Sequence, residues 1–410
     1  MLSMIIVVFI VIITNVSSSS SRVEEYSCSD KIKRSMWAEK GELDVPHVFS
    51  DATKNWTFLD KWRYEDDYIF KKMPHILTNV YISNDTSAFY YGGETQTDDM
   101  LKTTFESRLR SNGPPFVYYS GALSHWPDLD SDVSYNLFRQ FCVRLEDCVS
   151  PQIWISEKDV VTRAHYDAAH NFFTQIRGRK RFDLWPPSAH KALHLHSSLS
   201  PFARQSQLDD IDLPSPHFTV TLSPGVRFDC VRDFVSHTHA RTHAHLQDTL
   251  SLPSYWFHRV EALSSVTVSL SIWTESTSEL DMKESIDTTP LPFEMSWSEE
   301  MKWCASLKFS NLVLSLLHRE HDFIVELLKS RLDEECTIQN VACSYSFSNE
   351  TFDSRANSIA HKFLEIPNDI REMYLWNWLE SVGYFATGNN EIGLVSKFLC
   401  ALIQYTSRRE

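Results

Sequence analysis

The sequence predicts a mainly β fold, a sandwich or barrel, followed by an α-helical C-terminal domain. Three observations carry this. Between residues 71 and 275, short apolar runs rich in aromatic and β-branched side chains alternate with turn signals. After Trp273 the apolar spacing lengthens from two residues to three and four. The chain has 10 glycines in 410 residues, too few for long flexible linkers.

Composition narrows the function. Lys and Arg number 39 against 54 Asp and Glu, so the net charge is 39 − 54 = −15. That balance argues against a nucleic-acid partner, because phosphate binding needs basic residues. Hydrophobic residues make up 42% and charged residues 23%, which excludes a disordered chain.

Taken in order, Met4 to Ile13 are ten apolar residues in a row. This is about half of what a bilayer-spanning helix needs, and the length of a signal-peptide core. Small residues from Val16 to Ser19 suit cleavage near Ser18. Residues 1–18 are therefore expected to be a signal peptide, with a short signal anchor as the alternative reading and no stable membrane anchor elsewhere in the chain. The expected destination is the secretory pathway, either the ER lumen or the outside, since the C-terminus carries no KDEL-type signal. Asn55, Asn84 and Asn349 head N-x-Thr sequons and are the expected glycosylation sites. Among eight cysteines, Cys142/Cys148 and Cys336/Cys343 are close enough for local disulfides, with buried free thiols as the alternative.

Residues 19–70 form a mixed, Trp-rich N-terminal segment. The runs at 75–82, 115–123, 181–187, 248–256 and 265–273 read as strands of one domain over 71–275. In the last of them Val266, Val268, Leu270 and Ile272 alternate, which predicts a strand with one buried face. Residues 276–292 are rich in Ser, Thr, Asp, Glu and Pro and read as a linker. In 293–410, Leu312, Leu316, Leu317, Ile324, Leu327 and Leu328 recur at helical intervals.

The chemistry concentrates around His165-Tyr166-Asp167. Alternation along a strand puts His165 and Asp167 on one face. His258 offers a third ligand. Two histidines and a carboxylate on one side of an iron leave three positions for a bidentate 2-oxo acid and dioxygen.

The surrounding order of motifs is more specific than the H-x-D alone. Val161 to Asp167, Asn171-Phe172-Phe173, Gly178 to Arg181, Trp185-Pro186-Pro187, Arg204 to Asp209, and Leu252 to His258 follow one another. This series resembles the JmjC/cupin-type 2-oxoglutarate oxygenases, in particular the branch of the asparaginyl hydroxylase of hypoxia-inducible factor. The resemblance implies a double-stranded β-helix, or jelly-roll, core. It implies Fe(II) held by His165, Asp167 and His258, with 2-oxoglutarate as cosubstrate. Lys180, Thr162 and Tyr118 would take the distal carboxylate, and Asn171 would line the same pocket. A buried dicarboxylate needs such a cation and hydroxyl donors to offset its desolvation. Of the adjacent Tyr118 and Tyr119 only one can face inward. Two positions depart from the branch: Ser271 stands in place of an amide and Arg163 in place of a proline.

The family pattern runs Ser-Pro-Gly-Asp into the strand before the last ligand. Here Val226 to Gln247 separate Ser223-Pro224-Gly225 from Asp248. Valine codons begin GT and CAG encodes glutamine, which are the borders of an intron. The segment His237 to His245 can be encoded by a simple alternating repeat. Residues 226–247 are therefore expected to be a translated intron. The rival reading is an inserted His-rich metal loop of His237, His239, His243 and His245.

The resulting expectation is an Fe(II)- and 2-oxoglutarate-dependent dioxygenase that hydroxylates a side chain of a secretory-pathway polypeptide. It would form a homodimer through its C-terminal helices, as relatives do, unless that tail packs on its own barrel. Hydroxylation of a tRNA base and a catalytically silent cupin-fold binding module are the alternatives.

Overall fold

The computed structural model describes residues 25–26, 45–49, most of 53–141, 151–223, 241–243, 249–274, most of 294–332, 350–388 and 392–407, with isolated positions such as Cys336 and Cys343. The expected signal peptide, the 276–292 linker, Asn349 and Cys142/Cys148 lie outside the described residues.

Two sheets face each other. The larger runs in the order β1 (Glu25–Tyr26), β2 (His47–Phe49), β12 (Thr249–Leu252), β8 (His170–Arg177), β14 (Val266–Thr274), β6 (Gln152–Glu157), β5 (Phe116–Ala122), β3 (Ile76–Ser83) and β4 (Gln96–Leu101). The smaller runs β11 (Arg241–His243), β10 (Phe218–Leu222), β9 (Lys180–Trp185), β13 (Phe257–Ala262) and β7 (Val161–Tyr166). All pairings are antiparallel except β1 with β2 and β10 with β11. This is the jelly roll that the sequence predicts. Of residues 226–247, the described part is Arg241–His243, an edge strand on β10.

Alternation sorts the side chains into layers. Phe182 and Leu184 of β9 face inward against Phe173, Val220 and Leu250. Arg181 and Asp183 face outward, directly opposite Glu261 and Arg259 of β13. Arg181 reaches Glu261 at 2.8 Å and Arg259 reaches Asp183 at 3.4 Å. Such cross-strand charge pairs reinforce the register set by the apolar face.

The outer face of the larger sheet is covered by helices α1 (Phe58–Tyr64), α2 (Tyr68–Lys72), α3 (Lys102–Leu109) and α4 (Pro127–Asp130). Trp62, Ile69, Phe105 and Leu129 from these helices pack on Ile153, Phe172, Val268, Leu270 and Ile272. The N-terminal stretch from Trp56 to Met73 thus packs on the outer face of the larger sheet. The expectation of one buried face on β14 needs correction. Val268, Leu270 and Ile272 lie under the helices, while Thr267, Ser269 and Ser271, 0–1% exposed, face the barrel interior. The polar face of this strand lines the barrel interior and not the solvent.

The C-terminal region is helical, as predicted: α5 (Glu299–Leu316), α6 (His321–Leu327), α7 (Glu350–Glu365), α8 (Asn368–Thr387) and α9 (Ile392–Ser407). Ser298 caps α5 by accepting the Met301 N–H, with Glu299 and Glu300 in the first turn. Gly388, at φ +64°, ends α8 in the left-handed conformation that favours glycine. Among the described residues no helix is long and apolar enough to cross a membrane.

The expected Cys336/Cys343 pairing is also corrected. Cys336 bonds Cys400, and Cys343 bonds Cys304. Their Cα atoms lie 5.4 and 5.5 Å apart, within disulfide reach. Sequence proximity suggested the local pair, but tertiary packing brings each cysteine to a distant partner.

The helical domain packs against the outer face of the smaller sheet. Ala164, Tyr166, Trp185, Tyr255 and Phe257 share one core with Trp376, Leu379 and Ile324. A buried ion pair helps to tie the two parts together. Arg331 reaches Glu380 at 3.2 Å, and Glu380 accepts the Ser198 backbone N–H at 2.7 Å.

Candidate metal and cosubstrate site

The site begins with strand register. His165 of β7 pairs directly with His258 of β13. Their neighbours Ala164, Tyr166 and Phe257 point to the helical domain. Alternation therefore sends both histidines into the barrel. Their ring centroids are 4.2 Å apart. Asp167 follows one residue beyond the end of β7, and its carbonyl accepts the Tyr255 N–H at 2.8 Å. The Asp167 carboxylate lies 3.7 Å from His258 Nε2. One ligand atom from each of the three residues falls within 4.8 Å of the others.

The imidazoles are oriented for ligation. His165 Nδ1 lies 2.7 Å from the Arg163 carbonyl, and His258 Nδ1 3.1 Å from the Trp256 carbonyl. A carbonyl only accepts, so each Nδ1 carries the proton and each Nε2 keeps its lone pair free. Burial, followed by the neighbouring His258, pushes the His165 pKa down to about 4. At neutral pH His165 is the uncharged base that metal binding requires. Two imidazoles and a carboxylate on one side suit Fe(II) with open positions.

Thr162 reaches the same interior through a β-bulge. From Thr162 to His165 is three steps on β7, but the paired Val260 and His258 are two apart. The extra residue reverses the alternation, so Thr162 and His165 share a face. Thr162 hydrogen-bonds the hydroxyl of Tyr118, whose pKa is raised mainly by burial. Tyr118 faces the interior and stacks on Trp154 at 5.7 Å. Tyr119 points the other way, where its hydroxyl accepts the Trp126 indole N–H at 2.8 Å.

Lys180 sits at the start of β9 and is 3% exposed. Gly178 precedes it at φ +69°, where a Cβ would lie 2.4 Å from the Val266 carbonyl. Only glycine makes this turn tightly enough to bring Lys180 inward. Lys180 Nζ donates to Ser269 Oγ at 3.4 Å and lies 5.5 and 5.6 Å from the centroids of the Tyr118 and Phe173 rings. Among the described residues no carboxylate pairs with it. Burial pushes its pKa down to about 7. A buried lysine without a counter-ion marks a place built for an anion.

Asn171 is buried at the mouth end of β8, and its Oδ1 lacks a hydrogen-bond partner among the described residues. The same holds for Gln205 Nε2 and Trp273 Nε1. Gln205 bridges His165 through the backbone, and Trp273 pairs with Asn171. Neither was assigned a role from the sequence, although Gln205 lies inside the motif 204–209. These unsatisfied groups around a cation and a metal triad fit a polar bound cosubstrate. The two departures have local explanations. Ser271 accepts the Trp154 indole N–H at 3.0 Å, and Arg163 reaches Asp209 at 3.6 Å. Asn55 and Asn84 are exposed.

The fold and the His165, Asp167 and His258 cluster define a cupin-type class of protein. Over residues 34–279 the sequence matches the family described as Cupin-like domain, and the chain belongs to that family. It is 24% identical over 144 residues to an Arabidopsis thaliana protein named lysine-specific demethylase JMJ31, covering 34% of this chain and 23% of that one. It is 27% identical over 168 residues to mouse tRNA wybutosine-synthesizing protein 5, covering 41% and 46%. It is 29% identical over 187 residues to JmjC domain-containing protein F of Dictyostelium discoideum, covering 42% and 38%. The chain thus spans less than half the length of these curated relatives. The E. coli protein ycfD, a solved structure, superposes with a TM-score of 0.36 at 13% identity, covering 86% of this chain and 71% of that one.

Proposed function

We propose that this protein is an Fe(II)- and 2-oxoglutarate-dependent dioxygenase that hydroxylates a side chain of a polypeptide in the secretory pathway. The observation that carries the reading is Lys180, a buried cation without a carboxylate partner, in the interior that also holds His165, Asp167 and His258. In this reading the triad holds Fe(II). Lys180, Thr162 and Tyr118 take the distal carboxylate of 2-oxoglutarate, and Asn171 lines the pocket. The bound metal and cosubstrate supply the oxidation: one atom of O₂ enters a substrate C–H bond as hydroxyl, the other enters succinate, and CO₂ leaves. The aromatic wall of Tyr118, Trp154 and Trp273 limits water at the cosubstrate. Asp167, half-buried, marks the side from which the substrate would enter.

The compartment rests on separate support. Two disulfides between distant cysteines suit an oxidising environment, and two of the sequons are exposed. A homodimer through the C-terminal helices belongs to the same proposal, and light scattering on the full chain tests it.

Similarity to a tRNA wybutosine-synthesizing protein favours a second reading, action on a tRNA base. The net charge of −15 and the disulfides weigh against it.

The test is succinate release from 2-oxoglutarate by secreted protein supplied with Fe(II) and ascorbate, beside a His165→Ala, Asp167→Ala variant. The proposal expects turnover that the variant lacks. Failure of the folded protein to bind either iron or 2-oxoglutarate would overturn it in favour of a binding module.

A further inference from the structure

The helical domain packs behind the triad, and the hydroxyl contacts it makes there come from one face of one helix. Two tyrosines flank the ligands in the backbone. Tyr166 lies between His165 and Asp167. Tyr255 lies three residues before His258, and its N–H donates to the Asp167 carbonyl. Tyr255 holds φ +67°, a conformation that a bulky side chain keeps only when its surroundings enforce it. The two rings pack at 5.5 Å on the outer side of the smaller sheet.

Both hydroxyls end on α8. Tyr255 hydrogen-bonds the hydroxyl of Tyr374, with ring centroids 5.0 Å apart. Tyr166 shares a hydrogen bond with Asn377. Residues 374 and 377 are three apart, hence neighbours on one helix face. Glu380, one further turn along, holds Ser198 of the barrel. Two tyrosine contacts therefore fix the backbone on both sides of the ligand set.

We infer that Tyr374 and Asn377 are positioning residues for the metal centre, so that the C-terminal domain is part of the site's scaffold. This rests on the triad being a metal site. A ligand set held within a few tenths of an ångström loses affinity when the groups behind it relax, commonly by 10- to 100-fold.

The test uses the full chain and Co(II), whose visible spectrum reports coordination geometry without turnover. Tyr374→Phe removes one oxygen atom and keeps the ring. Asn377→Ala removes the other anchor, together with the hydrogen bond that Asn377 Oδ1 accepts from Arg331 at 2.7 Å. Trp378→Phe is the control: its ring packs on Phe309 and Phe363 inside the helical domain, away from the barrel. The expected result is Co(II) binding weakened about tenfold in Tyr374→Phe and in the double variant, with a changed visible spectrum. Trp378→Phe should lower thermal stability and leave affinity and spectrum as in the wild type. Unchanged affinity and spectrum in both Tyr374→Phe and the double variant would overturn the inference. If the wild type bound no Co(II), or if binding survived His165→Ala, Asp167→Ala, the reading of the triad itself would fall.

Discussion

His165 and His258 oppose each other across neighbouring antiparallel strands, with ring centroids 4.2 Å apart and both Nδ1 atoms held by backbone carbonyls. The barrel thus presents two preset Nε2 lone pairs beside the Asp167 carboxylate. Losing either ligand removes a bond to the metal. His258→Ala should weaken Fe(II) or Co(II) binding by more than about 100-fold, beyond the usual effect of an outer-shell change. Thermal stability without metal should change little. Titration calorimetry and a melting curve check both.

Lys180 is a functional group held at a cost to stability. Lys180→Met keeps the length and removes the buried charge. The metal-free variant should melt higher than the wild type and lose 2-oxoglutarate binding. The pH dependence has a definite sign. The folded pKa of about 7 lies below the ordinary lysine value of 10.5, so the unfolded chain binds the extra proton between them. The contribution of Lys180 to stability therefore rises with pH from about 7 to 10.5. The gap between wild type and Lys180→Met should narrow over that window in urea titrations.

Cosubstrate binding should then take up protons. A dianion beside Lys180 favours its charged form, so above pH 7 binding must protonate the lysine. Calorimetry in buffers of different ionisation enthalpy should show uptake approaching one proton at pH 8.5 in the wild type.

The Arg331–Glu380 pair is 0–1% exposed in its side chains and joins the helical domain to Ser198. Glu380→Ala strands the buried guanidinium and should destabilise the protein by about 3–5 kcal/mol. Replacing Glu365, exposed on α7, should cost under about 0.5 kcal/mol. Urea unfolding compares the two.

The segment 226–247 contributes a described edge strand, β11, which pairs only with β10 among the described residues. Deleting the segment restores Ser-Pro-Gly-Asp before β12. The 388-residue form should fold and melt within a few degrees of the full chain. Loss of folding would show the segment to be a structural part of the domain.

Much of this site was legible in the sequence, for definite reasons. His165, Asp167 and the strand alternation are local features, and His258 followed from the order of motifs. Lys180 was legible only through resemblance, because the run 177–181 reads by itself as a solvated turn. What makes it otherwise is the left-handed Gly178. Thr162 shows the limit of alternation: a simple period would put it opposite His165, and the bulge that corrects this depends on its pairing with β13. The cysteines show another limit. Cys336 lies seven residues from Cys343 in sequence, yet its partner is 64 residues away. The anchoring of Tyr166 and Tyr255 on α8 has no local signature, since it joins segments more than 100 residues apart.

The central claim is that the triad and Lys180 form one site for Fe(II) and 2-oxoglutarate. An Fe(II)–2-oxo acid chelate gives a visible charge-transfer band under anaerobic conditions, independent of any substrate. The wild type should develop this band when both are added. The His165→Ala, Asp167→Ala variant should not, and Lys180→Met should need far more 2-oxoglutarate. A wild type without the band, or a Lys180→Met variant that reaches it at the same concentration, would contradict the account.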